Sequence, residues 1–320
     1  VPHTPRSHLA PASAPGQAAD PVRVPAAGLW TVAVLGPGGV GGLLAALLSR
    51  AGHRVICVAG EETAHVLRRD GLQVRSRHFG DFTTAVEAGT ELREPADLCI
   101  VTVKATALDA AAERVAPERL GDAPILPLLN GIEHADVLRA RYGARQVVPG
   151  VIRVESTRTA PGVIVHGSPF AEIDLAGAAG QDLGPLAAML TDAGVRTTVA
   201  GDETAVLWAK LAFLAPFALL TTRYGLTIGE TRTERREELV SLVEEAAAVS
   251  RACGVPADAA GILARYDSFP AATKSSMQRD AEAGRPLELD AIGGALLRSA
   301  ERHGVEVPFA RRLVAELAGG

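Results

Sequence analysis

Lysine is almost absent from this 320-residue chain: of 32 basic residues only Lys104, Lys210 and Lys274 are lysines, and the other 29 are arginines. Arginine serves solubility as well as lysine does. A chain this biased keeps lysine mainly where a compact ammonium able to release its proton is needed, a task closed to the guanidinium. The plain alternative for each lysine is survival on a solvated surface. Cysteine is scarce too. Cys57, Cys99 and Cys253 show no metal-ligand spacing, which argues against a metal site and for reduced thiols in a cytoplasmic protein. A net charge of -5, with no basic run, argues against nucleic acid as a partner. No apolar run reaches about 18 residues without a charge or a break, which argues against a membrane span.

What is present is apolar and punctuated. At 48% hydrophobic the chain can bury a full core, and its length suits about two domains. Residues 1–28, rich in Pro and Ala with no apolar core segment, read as a disordered tail. From 29 to 200 short β-branched runs alternate with helical stretches. The runs 30–36, 54–60, 97–103 and 123–131 are continuously apolar, as in strands buried on both faces of a parallel sheet. An antiparallel pair is expected over 72–88, and further strands over 146–156, 162–168, 171–177 and 195–201. From 201 to 320 the periodicity is helical throughout, with helices expected over 202–225, 234–254, 256–269, 271–283, 288–304 and 308–319. The fold class is α/β: a Rossmann-type doubly wound sheet domain followed by an all-α C-terminal domain, with ligands in the cleft between them.

Gly36-Pro37-Gly38-Gly39-Val40-Gly41 follows the first apolar run and opens a helical pattern. In such a loop Gly36 permits the tight turn, Gly38 lets backbone approach a pyrophosphate, and Gly41 allows close helix–strand packing, with Gly39 and Val40 at the helix start. The cofactor expected is NADPH or NADH. Glu61, twenty residues past Gly41, stands where a carboxylate accepts from a ribose 2′-hydroxyl and repels a 2′-phosphate, which favours NADH; Arg68 and Arg69 stand nearby as the opposing argument.

Val101-Thr102-Val103-Lys104-Ala105 and Leu128-Leu129-Asn130-Gly131-Ile132 each close a sheet strand. With Leu207-Trp208-Ala209-Lys210-Leu211, Ser275-Ser276-Met277 and Glu288 they make a series that resembles the ketopantoate reductase (2-dehydropantoate 2-reductase) family over about residues 30 to 318. The resemblance implies that Lys210 is the general acid and that Glu288 positions the reacting groups and the cofactor ribose. It implies that Lys104 and Asn130 line the nicotinamide, with Asn130 also facing substrate, and that Ser276 binds the substrate carboxylate. Chemistry agrees: an ammonium stabilises charge developing on a carbonyl oxygen and donates the proton.

The chain departs from the family pattern where asparagines are expected four and eight positions past Lys210; here stand Leu214 and Ala218. Both share the face of Lys210 by helical spacing, so the resemblance implies a pocket that has lost two polar ligands. The activity expected is NAD(P)H-dependent reduction of a 2-oxo acid, either 2-dehydropantoate or a larger, more apolar analogue. The alternatives are an imine or 3-hydroxyacid reductase of the same fold, or a non-redox protein that kept the cofactor fold. The expected partner is a small-molecule carbonyl substrate, with a homodimer left open.

Overall fold

The computed structural model describes residues 28–177 and 181–319, so the tail expected over 1–28 falls almost wholly outside the described residues. The strands are β1 (Thr31–Leu35), β2 (Arg54–Val58), β3 (Leu72–Ser76), β4 (Phe82–Thr84), β5 (Glu87–Gly89), β6 (Leu98–Val101), β7 (Ile125–Pro127), β8 (Gly150–Arg153), β9 (Ser156–Ala160), β10 (Val163–His166), β11 (Glu172–Ala176) and β12 (Arg196–Ala200). Five of them form a parallel sheet in the order β5-β2-β1-β6-β7. Its register sets Leu35 beside Val58 and Val101, and Val101 beside Pro127, so four carboxyl ends lie along one edge. The order reverses between β1 and β6. That switch point is where such sheets bind ligands.

The later strands depart from the sequence reading. The run 146–156 was expected as one strand, but Gly150–Arg153 joins a three-stranded sheet in the order β12-β11-β8, while Ser156–Ala160 joins a four-stranded sheet in the order β4-β3-β10-β9. Residues 72–88 hold the antiparallel pair β3–β4, yet their last residues turn back into the parallel sheet as β5. The Gly39–Arg50 helix lies between the parallel and four-stranded sheets and buries eight of its twelve residues. Two covered faces explain why its sequence is apolar nearly all round.

Beyond Ala200 every element is helical. The long helix Glu203–Tyr224 starts at Asp202, whose carboxylate accepts from Thr204 N at 2.8 Å and Ala205 N at 3.2 Å. It is long and apolar enough to cross a membrane by length and composition, but 67% of its apolar window is buried inside the protein, as in a core helix. Trp208, Leu211, Ala215, Ala218 and Leu219 pack into a core shared with the Arg236–Ala252 helix. A helix absent from the sequence reading, Ile228–Glu234, opens on a capping box between Thr227 and Glu230. The helix expected over 288–304 divides into a π-helical turn, Asp290–Gly294, and the helix Ala295–Arg302.

Candidate active site

The glycine loop begins as β1 ends. Gly36 has φ +86°, and a Cβ there would stand 2.5 Å from Val103 Cγ1, so no other residue fits the turn. Thr102 donates from Oγ1 to Gly36 O at 2.8 Å, joining the loops that follow β1 and β6. A Cβ on Gly41 would meet that same Oγ1 at 2.2 Å. At Gly38 the nearest atom to a Cβ is 3.9 Å away, which leaves the backbone open to a ligand. The helix starting at Gly39 has no side-chain cap among the described residues, which leaves its first-turn amides for a ligand. This cradle fits the pyrophosphate of a dinucleotide.

Glu61 begins the helix after β2 and is largely exposed. Arg68 donates to its Oε1 at 3.3 Å, and both side chains line a cavity of about 420 Å³ with Ile56, Glu87 and Gly89. Arg69 turns away and pairs with Asp70 at 2.6 Å. Only Arg68 therefore stands beside the carboxylate.

Glu288 brings the two halves of the molecule together. It is 6% exposed; its Oε1 accepts from Ala105 N at 3.1 Å and its Oε2 from Asn130 Nδ2 at 3.0 Å. The Asn130 turn is closed by Gly131, φ +87°, where a Cβ would lie 2.3 Å from Ala291 O in the π-helical turn. Lys210 is partly exposed, in the first half of the long helix. Burial lowers its amine to about 8, the Glu288 carboxylate opposes the shift, and Arg153 adds to it. An amine near 8 is protonated at neutral pH yet able to release its proton.

Lys104 ends the β6 loop and pairs with Asp280, a buried carboxylate whose other oxygen accepts from Arg285 Nε at 2.9 Å. Lys274 instead pairs with Glu282 at 2.7 Å, both side chains well exposed, and is a surface residue. Ser275 caps the Ser276–Glu282 helix, accepting from Gln278 N at 3.0 Å, and its hydroxyl bonds that of Thr221. Ser276 is the first helical residue and partly exposed. Leu214 is partly buried against the helical core. Ala218 has no exposed surface and packs inside that core, which removes it from the pocket wall that its helical spacing suggests.

Three residues around these positions carried little local signal. Asp280 is an acid four residues past Ser276, and that spacing was the sole clue to it. Arg153, on β8, reaches Asp174 at 2.7 Å and Glu172 at 3.2 Å and lies close enough to Lys210 to affect its charge. His134, 5% exposed, has neither ring nitrogen hydrogen-bonded among the described residues, and burial followed by the charge on Lys210 lowers it to about 4.

The sequence matches two family models, one described as ketopantoate reductase PanE/ApbA over residues 32–179 and the other as its C-terminal domain over residues 203–319. It is 31% identical to 2-dehydropantoate 2-reductase of Mycobacterium tuberculosis, over 90% of this chain and 96% of that protein. It is 30% identical to the protein of the same name from Halobacterium salinarum, over 88% and 96%. A crystal structure of a PanE/ApbA family ketopantoate reductase from Ralstonia eutropha superposes with a TM-score of 0.81 at 30% identity, covering 89% of this chain and 96% of that one. D-mandelate dehydrogenase, solved with NADH and anilino(oxo)acetate, shares the fold with a TM-score of 0.84 at 20% identity over 90% and 97%.

Proposed function

This chain belongs to the ketopantoate reductase family, and from that membership we propose that it reduces the carbonyl of 2-dehydropantoate or of a larger, more apolar 2-oxo acid, with Lys210 as general acid. As a family member it is an oxidoreductase acting on CH–OH groups with NAD(P)H as cofactor. We place the cofactor on residues 29–200 and the proton donor on residues 201–320. When bound, the reduced nicotinamide supplies hydride to the carbonyl carbon. Gly36, Gly38, Gly39, Val40 and Gly41 would hold the pyrophosphate, Glu61 the adenosine ribose, and Lys104 and Asn130 the nicotinamide end.

The observation that carries this reading is the nearly buried Glu288, which takes Ala105 N and Asn130 Nδ2 from the sheet ends while its charge acts on the Lys210 amine, lowered by burial to about 8. In that place the ammonium balances charge developing on the carbonyl oxygen and hands over its proton. Glu288 keeps Asn130 and the Ala105 amide in position and favours the charged form of Lys210. Leu214, one turn from Lys210, supplies an apolar wall where a polar contact would select a hydroxylated substrate, which supports the larger, more apolar alternative.

The test is oxidation of NADPH and NADH over a panel of 2-oxo acids, 2-dehydropantoate included, with wild type and Lys210→Ala. Turnover that falls by about 10²- to 10⁴-fold in the variant while cofactor affinity holds is the expected result. A loss under about tenfold would remove Lys210 from the chemistry.

A further inference from the structure

Asp280 is a buried acid with a cation on each oxygen: Oδ2 takes the Lys104 ammonium and Oδ1 the Arg285 guanidinium. It lies in the helix Ser276–Glu282, which buries Met277, Gln278 and Asp280. The helix is anchored at its start, where the Ser275 hydroxyl accepts from Gln278 N at 3.0 Å and bonds the Thr221 hydroxyl of the long helix at 2.8 Å. Past its end the chain turns at Gly284, φ +63°, and brings Arg285 back. The Arg285 amide then donates to Asp280 O at 2.8 Å and its Nε to Asp280 Oδ1 at 2.9 Å. The carboxylate is thereby fixed from both sides of its own segment.

Lys104 lies 176 positions away in the sequence, in the loop after β6. Among the described residues Asp280 is the one hydrogen-bond acceptor of its ammonium. An ammonium carries three donors, so two are left for a ligand. The Lys104 side chain is 40% exposed against 7% for its partner, so the pair is buried at the acid and open at the amine. The next residue is held in the same way, with Ala105 N donating to Glu288 Oε1 at 3.1 Å. Two buried carboxylates of the helical domain therefore hold two consecutive residues of one sheet-domain loop, which Thr102 also ties to Gly36 at 2.8 Å. Leaving water is costly for a carboxylate, and charge-assisted bonds to both oxygens offset that cost. A lysine stem has many rotamers of its own; an acceptor fixed in the core selects one place for its charge.

We propose that Asp280 is a positioning residue for the cofactor: it holds the Lys104 ammonium at the carboxyl edge of the sheet and so presents the two remaining donors to the nicotinamide half of the dinucleotide. The proposal rests on the reading that Lys104 lies at the nicotinamide end. It makes that end of the site a joint product of both domains and leaves the adenosine half to the sheet domain alone. Asp280 acts through Lys104, and Arg285 serves to hold the carboxylate.

Asp280→Asn, Asp280→Glu, Lys104→Met and the double variant Lys104→Met with Asp280→Asn are compared with wild type by calorimetric titration of the whole cofactors, NADPH and NADH, and of their adenosine fragments, adenosine 2′,5′-bisphosphate and ADP. Asp280→Asn should raise the dissociation constant of the whole cofactor about tenfold, the size of one charge-assisted contact, and leave the fragment within about twofold of wild type. Asp280→Glu keeps a charged partner for both cations but displaces the ammonium, and should cost about threefold. Lys104→Met should lose as much as Asp280→Asn, and the double variant no more than Lys104→Met, because the carboxylate then has nothing to position. Fragment affinity equal to wild type shows that a variant is folded; where Asp280→Asn fails that check, Asp280→Glu decides by the same comparison of cofactor with fragment. Whole-cofactor affinity kept in the Asp280 variants, an equal fall for cofactor and fragment in a folded variant, or losses that multiply in the double variant overturns the proposal. Wild-type cofactor affinity in Lys104→Met removes Lys104 from the nicotinamide end and takes the proposal with it, whereas weakened binding in Lys104→Met with none in the Asp280 variants ends the proposal alone.

Discussion

Asn130 donates from Nδ2 to Glu288 Oε2 at 3.0 Å, across 158 positions of sequence, and ties the turn after β7 to the entry of the π-helical turn. The other oxygen of the same carboxylate takes the Ala105 amide at 3.1 Å. Both oxygens of a nearly buried carboxylate are thus occupied by donors from the sheet side, and its remaining charge acts on Lys210. This geometry supports the proposed positioning role of Glu288, whose charge opposes the lowering of the amine by burial.

With Lys210 as the proposed general acid, the pH dependence of reduction follows from its amine, which burial lowers to about 8, since the protonated form is the donor. The rate of carbonyl reduction should therefore be level below about pH 8 and fall about tenfold per pH unit above it. Oxidation of the hydroxy acid needs the neutral amine and should rise over the same range. Steady-state rates in both directions from pH 6 to 10 check this; a reduction limb unchanged in Lys210→Ala would exclude the assignment.

Glu288→Gln tests the positioning role with a readout that structural damage would not mimic. The carboxylate raises the Lys210 pKa against burial, so its neutral amide should move the alkaline limb of reduction below pH 8. The substituted amide also sets an NH₂ against one of two donors that now meet a carboxylate oxygen, and turnover should fall as well. A lower rate with the limb in its wild-type place would leave Glu288 a purely structural tie.

The parts of this arrangement that were legible in the sequence are those fixed by local physics. Gly36 to Gly41 after an apolar run could be placed because a strand, a tight turn and a helix start each leave a short-range pattern. Lys104, Asn130, Lys210 and Glu288 stood out through a resemblance in blocks, and the structure connects Asn130 with Glu288 directly and sets Glu288 near Lys210. Strand partnership was not legible. Residues 146–156 divide between two sheets because pairing is decided by distant strands, β11 and β10, which the local run does not encode. Helical spacing placed Ala218 on the face of Lys210, but that face turns into the helical core after one turn.

On the proposed placement of the adenosine ribose, cofactor choice turns on Glu61 and Arg68. They now neutralise each other at 3.3 Å beside the cavity at the end of β2. Replacing Glu61 with Arg removes repulsion of a 2′-phosphate and frees Arg68 to meet it. The ratio of NADPH to NADH affinity should rise about tenfold or more, equivalent to about 1.4 kcal/mol. Fluorescence titration of both cofactors measures it, and an unchanged ratio would mean that the ribose lies elsewhere.

Gly131→Ala should loosen the contact between sheet edge and π-helical turn. Its φ of +87° disfavours any side chain, and the added Cβ would stand 2.3 Å from Ala291 O, a backbone atom that cannot swing aside. A destabilisation of about 1–3 kcal/mol is expected, with a fall in turnover because Asn130 and Glu288 are displaced together. Urea unfolding monitored by tryptophan fluorescence and kcat on the same sample provide the check; wild-type values in both would show that the turn relaxes freely.

His134 gives the fold a sensitivity to mild acid. Burial lowers it from the ordinary 6.5 to about 4, with the charges on Lys210 and Arg139 in the same direction and Asp136 opposing. The imidazole is therefore neutral in the folded protein at pH values where the unfolded chain takes up a proton. More protons bind the unfolded state between pH 6.5 and 4, so stability present above 6.5 is lost as pH falls through that window, by about 3 kcal/mol at its lower end. Neither ring nitrogen has a hydrogen-bond partner among the described residues, so His134→Leu removes two unpaired polar atoms along with the titrating group. Urea unfolding at pH 7.5 and pH 4 should show wild type losing about 3 kcal/mol more than the variant across that interval. Equal losses in the two proteins would mean that the ring already carries its proton in the folded state, close to Lys210.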